Sequence, residues 1–318
     1  MKQKIFITQK LPGNIESYLQ KNGFITETFD KERLITKKEL IERARDVDAL
    51  ICLLSNRIDK EVIDNLNKCK IIANYAVGYN NIDVDYAKSK NIIVTNTPDV
   101  LTDATADIAV ALILACARRL HEGNKLMRQK KFKGWKPDLL LGYDIKDKVV
   151  GIIGAGRIGT EVAIRMKAFK TKILYYSRSR NYELEKLTEA KKVSLNYLLK
   201  NSDIISIHVP LTESTFHLLN KENMVLMKKS AIIVNTARGE VIDEKFLIKI
   251  LKQKKIFSAG FDVYENEPDV NPDLLKLDNV FLLPHIGSAT IETRTRMAML
   301  AAKNVIEVLK GNKPITPV

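Results

Sequence analysis

Cysteine and histidine are scarce in this sequence, whose 318 residues include three cysteines and four histidines. Cys52, Cys69 and Cys116 are scattered, with no CxxC pair and no Cys/His spacing typical of a metal site. We therefore expect neither a disulfide framework nor a zinc site or other metal centre.

Long apolar runs are also missing. No stretch approaches the roughly 18 apolar residues that suggest a membrane span. The N-terminal "MKQKIFITQKLPGN" has too few apolar residues before its proline to be a secretory signal, and it is typical of a first strand. Together with the cysteine pattern, these absences predict a cytoplasmic protein that does not associate with membranes.

Acidic residues are outnumbered, with 38 Asp and Glu against 52 Lys and Arg and a net charge of +14. Such a charge can indicate nucleic-acid binding. Here the lysines are spread along the chain, and the densest runs, "RQKKFKGWK" and "KQKK", are short. This pattern favours solvated lysines on helix faces, so we expect no nucleic-acid partner. The positive field would attract an anionic substrate and cofactor.

The length favours two domains. Apolar strand-like runs alternate with amphipathic helix-like runs, which predicts parallel α/β sheets. We expect one domain from residues 1–97 plus 289–318 and a second from 98–288. Residues 102–127 are predicted as one long buried helix, and a last helix over about 291–310 should pack back on the first domain. The predicted fold is a pair of Rossmann-like or flavodoxin-like open parallel sheets with a cleft between them.

A glycine-rich segment follows the first strand of the second domain. "KVVGIIGAGRIG" places Gly154, Gly156 and Gly159 in G-x-G-x-x-G spacing, after an apolar run and before an amphipathic helix. In that context the motif predicts a dinucleotide site, because the glycines permit a tight turn and close approach to a pyrophosphate. The alternative is a glycine-rich turn without a ligand.

The next strand ends in "YYSRSR", where an NAD site usually has an acidic residue. Ser177, Arg178, Ser179 and Arg180 can instead hydrogen-bond and neutralise a 2′-phosphate. This pattern favours NADP as cofactor, with NAD possible. The alternative is that both arginines point to solvent.

Three chemically useful side chains follow three strands of the second sheet. Arg238 follows "AIIVNTA", Glu267 follows "FSAGFDV" and His285 follows "VFLLP". Parallel sheets bind ligands at the carboxyl ends of their strands. Beside a nicotinamide, such a set is suited to a 2-keto or 2-hydroxy acid. Arg238 can hold the carboxylate, and His285, oriented by Glu267, can exchange a proton with the keto oxygen. Taken alone, His285 could instead be a buried structural residue.

The segments "VVGIIGAGRIG", "SIHVPLTEST", "MKKSAIIVNTARGEVIDEKFL", "AGFDVYENEP" and "LLPHIGSAT" make the chain resemble the D-isomer-specific 2-hydroxyacid dehydrogenases over nearly its whole length. The resemblance implies the same roles for Arg238, Glu267 and His285. It also implies that Asp262 contacts the nicotinamide carboxamide. The other implied cofactor contacts are Thr105, Arg157, Ile158, Val209, Pro210, Thr215 and Thr236.

Within the family, "ICLLSNRID", "YAVGYNNID", "GWKPDLLLGYDIKDK" and "YYSRSR" are most similar to glyoxylate/hydroxypyruvate reductases. The resemblance implies that backbone amides near Val77 and Gly78 bind the substrate carboxylate and that Leu53 lines a small pocket. It also implies a homodimer. Trp135 then either reaches the partner's substrate site or packs within the interface.

Two other functions remain open on the sequence alone. One is a broader D-2-hydroxyacid dehydrogenase that acts on D-lactate-like substrates. The other is a non-catalytic, dinucleotide-sensing corepressor, because the same fold also serves proteins that bind partners. The intact set of Arg238, Glu267 and His285 favours an enzyme.

Overall fold

The computed structural model describes residues 2–318 and divides into two compact units. The first unit comprises residues 2–101 with Ser288–Val318, and the second comprises Thr102–Gly287. The sequence places the corresponding boundaries at 97/98 and 288/289.

The strands are short and are named in chain order. They are β1 (Lys4–Ile7), β2 (Ile25–Thr28), β3 (Ala49–Cys52), β4 (Ile71–Asn74), β5 (Ile93–Thr95), β6 (Val149–Ile153), β7 (Lys172–Tyr176), β8 (Lys191–Lys192), β9 (Ile204–Ile207), β10 (Ile232–Asn235), β11 (Ser258–Phe261) and β12 (Val280–Leu282).

The helices alternate with these strands for most of the chain. They are α1 (Ile15–Lys21), α2 (Lys37–Ala44), α3 (Lys60–Asp64), α4 (Val84–Ser89), α5 (Thr102–Ala117), α6 (Leu120–Arg128), α7 (Arg157–Ala168), α8 (Tyr182–Thr188), α9 (Leu195–Asn201), α10 (Lys221–Met224), α11 (Glu244–Lys252), α12 (Pro272–Leu275) and α13 (Ile291–Leu309), and a 3₁₀ turn spans Gly239–Val241.

The first unit contains one parallel sheet in the order β2-β1-β3-β4-β5. Strands β3 and β4 are buried at every position, as expected for apolar runs covered on both faces. The edge strand β2, "ITET", is exposed or half-buried throughout, so it carries no apolar run that the sequence pattern would reveal. Helix α13 packs on β3 and β4.

The second unit contains a larger parallel sheet in the order β12-β11-β10-β9-β6-β7-β8. The predicted fold class, parallel α/β sheets in two units, is therefore confirmed. Helix α5 is apolar on most sides because it packs on α7 as well as on β10 and β11. Gly260 permits this approach, since a Cβ at that position would lie 3.1 Å from the side chains of Leu112 and Cys116.

The predicted single helix over 102–127 is wrong, because the chain breaks between α5 and α6. Arg119 adopts a left-handed conformation with φ of 52°. The carbonyl oxygen of Ala117 accepts a hydrogen bond from the amide of Tyr143 at 2.9 Å, which takes it out of the helical ladder. A continuous apolar pattern cannot reveal this break, because its cause lies more than twenty residues further along the chain.

Cys52, Cys69 and Cys116 are all buried free thiols. Among residues 2–318, no helix combines the length and the apolar character that a bilayer crossing requires.

Replacing Gly142 with alanine should destabilise the second unit, because the added Cβ would lie 2.1 Å from the carbonyl oxygen of Ala117. We expect the free energy of unfolding to fall by about 2 kcal/mol, which is a typical cost of adding a group to a well-packed site. Gly123→Ala in α6 is the control, because its nearest neighbour would be a Leu140 methyl group at 3.8 Å. The control should be neutral or up to about 1 kcal/mol more stable. Urea denaturation of both variants measures the difference, and equal stabilities would contradict this account of the break.

Candidate active site

The glycine loop joins β6 to α7, and its three glycines meet different surroundings. Gly154 has a φ of 98°, and a Cβ there would lie 2.7 Å from the backbone of His208. A Cβ at Gly159 would lie 2.1 Å from the carbonyl oxygen of Gly154. Gly156 is exposed, and a Cβ there would meet nothing within 4 Å. The first and third glycines are thus required by packing, whereas the second leaves the backbone open.

The loop fits the pyrophosphate of a dinucleotide. Gly156 is the N-cap of α7 and provides no side-chain cap. The first-turn amides, including those of Arg157 and Ile158, therefore face a position where an anion is favoured by hydrogen bonding and by the helix dipole. At the end of β10, which β9 separates from β6, the buried hydroxyl of Thr236 has no hydrogen-bond partner within residues 2–318, and a bound ligand would satisfy it.

The segment after β7 differs in one respect from the sequence prediction. Arg180 donates to Glu185 from Nε at 2.9 and 3.0 Å, so its guanidinium is already paired with an acid. Glu185 also accepts from the buried Tyr175 hydroxyl at 2.6 Å. Ser177 is half-buried, whereas Arg178 and Ser179 are exposed. Arg178 is therefore the better placed of the two arginines to meet a phosphate.

Lys192 is a further cation at this edge that the sequence pattern does not reveal. It lies on β8, directly beside Tyr175 of β7 in parallel register. Its Nζ donates to the carbonyl oxygen of Arg178 at 3.0 Å. With Arg180 as the main cause, it also contributes to lowering the pKa of Glu185. A strand of two residues has no periodicity, so only the lysine pair itself could have signalled this position.

The segment after β9 carries Val209, Pro210 and Thr215. The Thr215 hydroxyl donates to the carbonyl oxygen of Pro210 at 2.6 Å and accepts from the amide of Thr212 at 2.8 Å, so it closes the loop on itself. His208 lies beneath, with Nε2 2.8 Å from the Ser206 hydroxyl. Burial lowers the pKa of His208 to about 3, so this histidine is neutral at physiological pH.

The segments that carry Arg238 and Glu267 meet through a very close backbone approach. A Cβ at Gly239 would lie 1.9 Å from the carbonyl carbon of Tyr264, so only glycine fits there. Arg238 immediately precedes this glycine and donates from Nη1 to the carbonyl oxygen of Ala237 at 2.6 Å. Burial lowers the pKa of Arg238, and the nearby carboxylate of Glu267 opposes that shift. Arg238 remains charged at neutral pH, because the ordinary pKa of an arginine is very high.

Glu267 is anchored at one oxygen and orients His285 with the other. Its Oε1 accepts from the amide of Tyr264 at 3.0 Å, and its Oε2 lies 2.8 Å from Nδ1 of His285. Burial opposes ionisation of Glu267, but the hydrogen bond and charge of His285 outweigh it, so its pKa is lowered. Because the carboxylate is ionised, the ring carries a proton on Nδ1. Nε2 has no hydrogen-bond partner among residues 2–318 and is the atom available for proton exchange.

His285 has a φ of 54°, which is unusual for a residue with a Cβ. The turn is held by Asp262, whose Oδ1 and Oδ2 accept from the amides of Ile286 at 2.7 Å and Gly287 at 2.6 Å. Gly287 lies between this carboxylate and Thr105 of α5. A Cβ added at Gly287 would lie 3.1 Å from Oδ2 of Asp262 and 3.4 Å from the methyl group of Thr105. Burial raises the pKa of Asp262. Asp262 thus positions the His285 loop in addition to any cofactor contact.

The remaining predicted site residues lie on other segments. In the first unit, Leu53 directly follows β3, and Val77 and Gly78 follow β4, all half-buried. In the second unit, Trp135 lies on the loop after α6 and is 81% exposed. The structure therefore gathers Arg238, Glu267 and His285 at one edge of the larger sheet, which strand order alone could only suggest.

Comparison with known proteins places the chain in a family. A sequence profile described as "D-isomer specific 2-hydroxyacid dehydrogenase, NAD binding domain" matches residues 110–287. The chain belongs to the D-isomer-specific 2-hydroxyacid dehydrogenase family. This dehydrogenase is an NAD(P)-dependent oxidoreductase with a nicotinamide dinucleotide cofactor, as the sequence motifs predict.

Relatives and solved structures are similar to this chain over nearly its whole length. The glyoxylate reductase of Pyrococcus horikoshii is 48% identical, with 99% of this dehydrogenase and 96% of the relative covered. A crystal structure of a Thermus thermophilus protein has a TM-score of 0.94 at 40% identity, over 99% of this chain and 100% of the other. An NADPH-dependent glyoxylate/hydroxypyruvate reductase of Sinorhizobium meliloti, solved with NADP and malonate, has a TM-score of 0.88 at 31% identity. The match covers 100% of this chain and 97% of the other.

Glu267→Gln should reduce stability most at neutral pH. The pKa of Glu267 is lowered in the folded protein, so its contribution is complete above the unfolded-state value of about 4.3 and is lost as the pH falls through the folded-state value. Because the pair is about one-third exposed, we expect a cost of about 1 kcal/mol or less near pH 7. Chemical denaturation at a series of pH values should show that the difference in free energy of unfolding between wild type and variant becomes smaller below pH ~4. A difference that stays constant with pH would refute this assignment.

Proposed function

We propose that this dehydrogenase reduces the keto group of glyoxylate or hydroxypyruvate to the 2-hydroxy acid, with NADPH preferred as the hydride donor. The observation that carries the proposal is the 2.8 Å pair between Glu267 and Nδ1 of His285, which leaves Nε2 for proton exchange. The identity of nearly half of all positions with a glyoxylate reductase, over essentially the whole chain, supports the substrate class.

In this proposal, His285, Glu267 and Arg238 have different roles. Bound NADPH supplies the hydride to the keto carbon. His285 donates its Nε2 proton to the keto oxygen and is held in that orientation by Glu267. Arg238, kept charged beside Glu267, polarises the keto oxygen and holds the substrate carboxylate. The backbone amides of Val77 and Gly78 are the further carboxylate donors.

The broader D-2-hydroxyacid dehydrogenase and the corepressor are the alternatives that the same residues allow. The small pocket that the family resemblance implies at Leu53 supports small substrates over bulky ones, since D-lactate dehydrogenases typically have aromatic residues at this position. A substrate panel separates the three functions.

The panel measures NADPH oxidation with glyoxylate, hydroxypyruvate, pyruvate and 2-ketoisocaproate. We expect the first two to be turned over best. His285→Ala should lower kcat by about 10²–10⁴-fold, the usual contribution of a proton donor, while NADPH binding measured by fluorescence is retained. Preference for pyruvate or 2-ketoisocaproate would favour the broader dehydrogenase. Wild-type protein that binds NADPH but turns over none of the four would refute the enzyme proposal.

The preference for NADPH is proposed from the cations at the end of β7. Arg178 and Lys192 are both exposed there, and they are joined by the 3.0 Å bond from Nζ of Lys192 to the Arg178 carbonyl. Arg180 contributes less because Glu185 neutralises it. Two cations beside a 2′-phosphate give charge-assisted contacts that NADH cannot make.

Lys192→Ala should therefore raise the KM for NADPH by about fivefold to tenfold, as loss of one charge-assisted contact predicts, and leave the KM for NADH nearly unchanged. Lys191→Ala is the matched control, since the adjacent residue of β8 points to the opposite face. Steady-state kinetics with both cofactors measures the ratio. Equal effects of the two substitutions, or a wild-type preference for NADH, would contradict the proposed 2′-phosphate contact.

We also propose the homodimer that the family resemblance implies. Its support is a set of large apolar side chains left exposed on α6 and the loop after it: Met127 is 59%, Trp135 81% and Leu141 63% exposed. Exposed apolar surface of this kind often marks a protein interface. The role of Trp135 and the cytoplasmic location stay predictions.

A further inference from the structure

Three consecutive carbonyl groups after β4 are all bonded to the interior of the first unit. The oxygen of Ala76 accepts from the amide of Thr97 at 2.8 Å. The oxygen of Val77 accepts from Nδ2 of Asn96 at 2.8 Å. The oxygen of Gly78 accepts from Nδ2 of Asn74 at 2.8 Å. Two asparagine side chains and one backbone amide thus fix three successive peptide planes.

This arrangement determines where the amide hydrogens point. In a trans peptide the N–H is directed opposite to the preceding C=O. With the carbonyls of residues 76–78 turned inward, the N–H groups of Val77, Gly78 and Tyr79 are turned outward. Val77 and Gly78 are half-buried and Tyr79 is exposed. No hydrogen-bond acceptor within residues 2–318 is paired with the amides of Val77 or Gly78, so both are available to an anion.

Further asparagine side chains hold the segment that follows the neighbouring strand, β3. Asn74 is completely buried, and its side-chain amide pairs with that of Asn81 at 3.3 and 3.4 Å. Asn81 in turn donates to the carbonyl oxygen of Leu53 at 3.2 Å. The amide of Leu53 donates to Oδ1 of Asn56 at 2.8 Å. Each of the loop positions expected to meet substrate in this unit is therefore held by an asparagine.

We propose that Asn96 and Asn74 are positioning residues for the substrate carboxylate. They act by holding the carbonyls of Val77 and Gly78 inward, which presents the amides as preorganised donors. The inference rests on the proposed function, since it takes the anion to be the carboxylate of the keto acid. Neutral amides suit this role, because they orient the donors without adding a negative charge that would repel the substrate.

Asn96 is the better residue to test because its backbone is held independently of its side chain. Its amide donates to the carbonyl oxygen of Thr316 at 3.2 Å, and its carbonyl oxygen accepts from the Thr316 hydroxyl at 2.7 Å. Asn96→Ala removes the contact with Val77 but leaves both of these bonds. Asn67→Ala is the matched control, since Asn67 is exposed and its side chain contacts Asp46 at 3.5 Å, away from the loop.

The experiment measures the KM and kcat for glyoxylate, the Kd for NADPH, and the Kd for oxamate, a carboxylate-bearing analogue, in the presence of NADPH. Asn96→Ala should raise the KM and the oxamate Kd about tenfold, in line with loss of well-aligned charge-assisted donors. The kcat, the NADPH Kd and the thermal midpoint should stay close to wild type. Asn67→Ala should change none of these.

Three results would overturn the proposal: a wild-type oxamate Kd in folded Asn96→Ala, equal effects of the Asn96 and Asn67 substitutions, or a loss of NADPH affinity as large as the loss of oxamate affinity. If Asn96→Ala does not fold, the isosteric Asn96→Asp replaces it, with a larger rise in oxamate Kd expected and an unchanged value counting against the proposal. Oxamate binding is read by calorimetry without turnover. Failure of glyoxylate reduction would therefore refute the proposed function separately.

Discussion

One buried carboxylate, that of Asp262, holds the turn on which the candidate site depends. Both of its oxygens accept backbone amides from the two residues that follow His285. Without them, the left-handed conformation of His285 would have little to offset its cost. The ring then meets Glu267, whose own segment is fixed by the close approach of Gly239 to Tyr264. Backbone contacts thus set the geometry before any substrate is present.

The sequence indicated which side chains the structure brings together at the candidate site, but not the contacts that hold them there. Arg238, Glu267 and His285 can be identified from the sequence because each follows an apolar strand. The carboxyl ends of parallel strands lie at one edge of the sheet. The contacts that join them involve positions far apart in the chain, such as Gly239 and Tyr264, and periodicity carries no information about such pairs. The same limitation explains why the break after Ala117 was missed.

Charge pairing could not be predicted for a similar reason. Arg178 and Arg180 are equivalent in the sequence pattern, yet it is Arg180 that pairs with Glu185 of α8. Lys192 enters from a strand too short to leave a pattern. Short-range motifs therefore identify which chemistry is present, whereas the folded chain decides which charges are already paired with one another.

The glycine loop shows that a single motif can be subject to two separate selective pressures. Substitution of Gly154 or Gly159 would bring a side chain into the protein's own backbone, so any change there is removed by its effect on folding. Gly156 has no such neighbour, and only a ligand would approach it closely. Variation at this one position among related chains therefore reports whether a nucleotide is still bound, and a descendant that had lost its cofactor would be free to change it while retaining the fold.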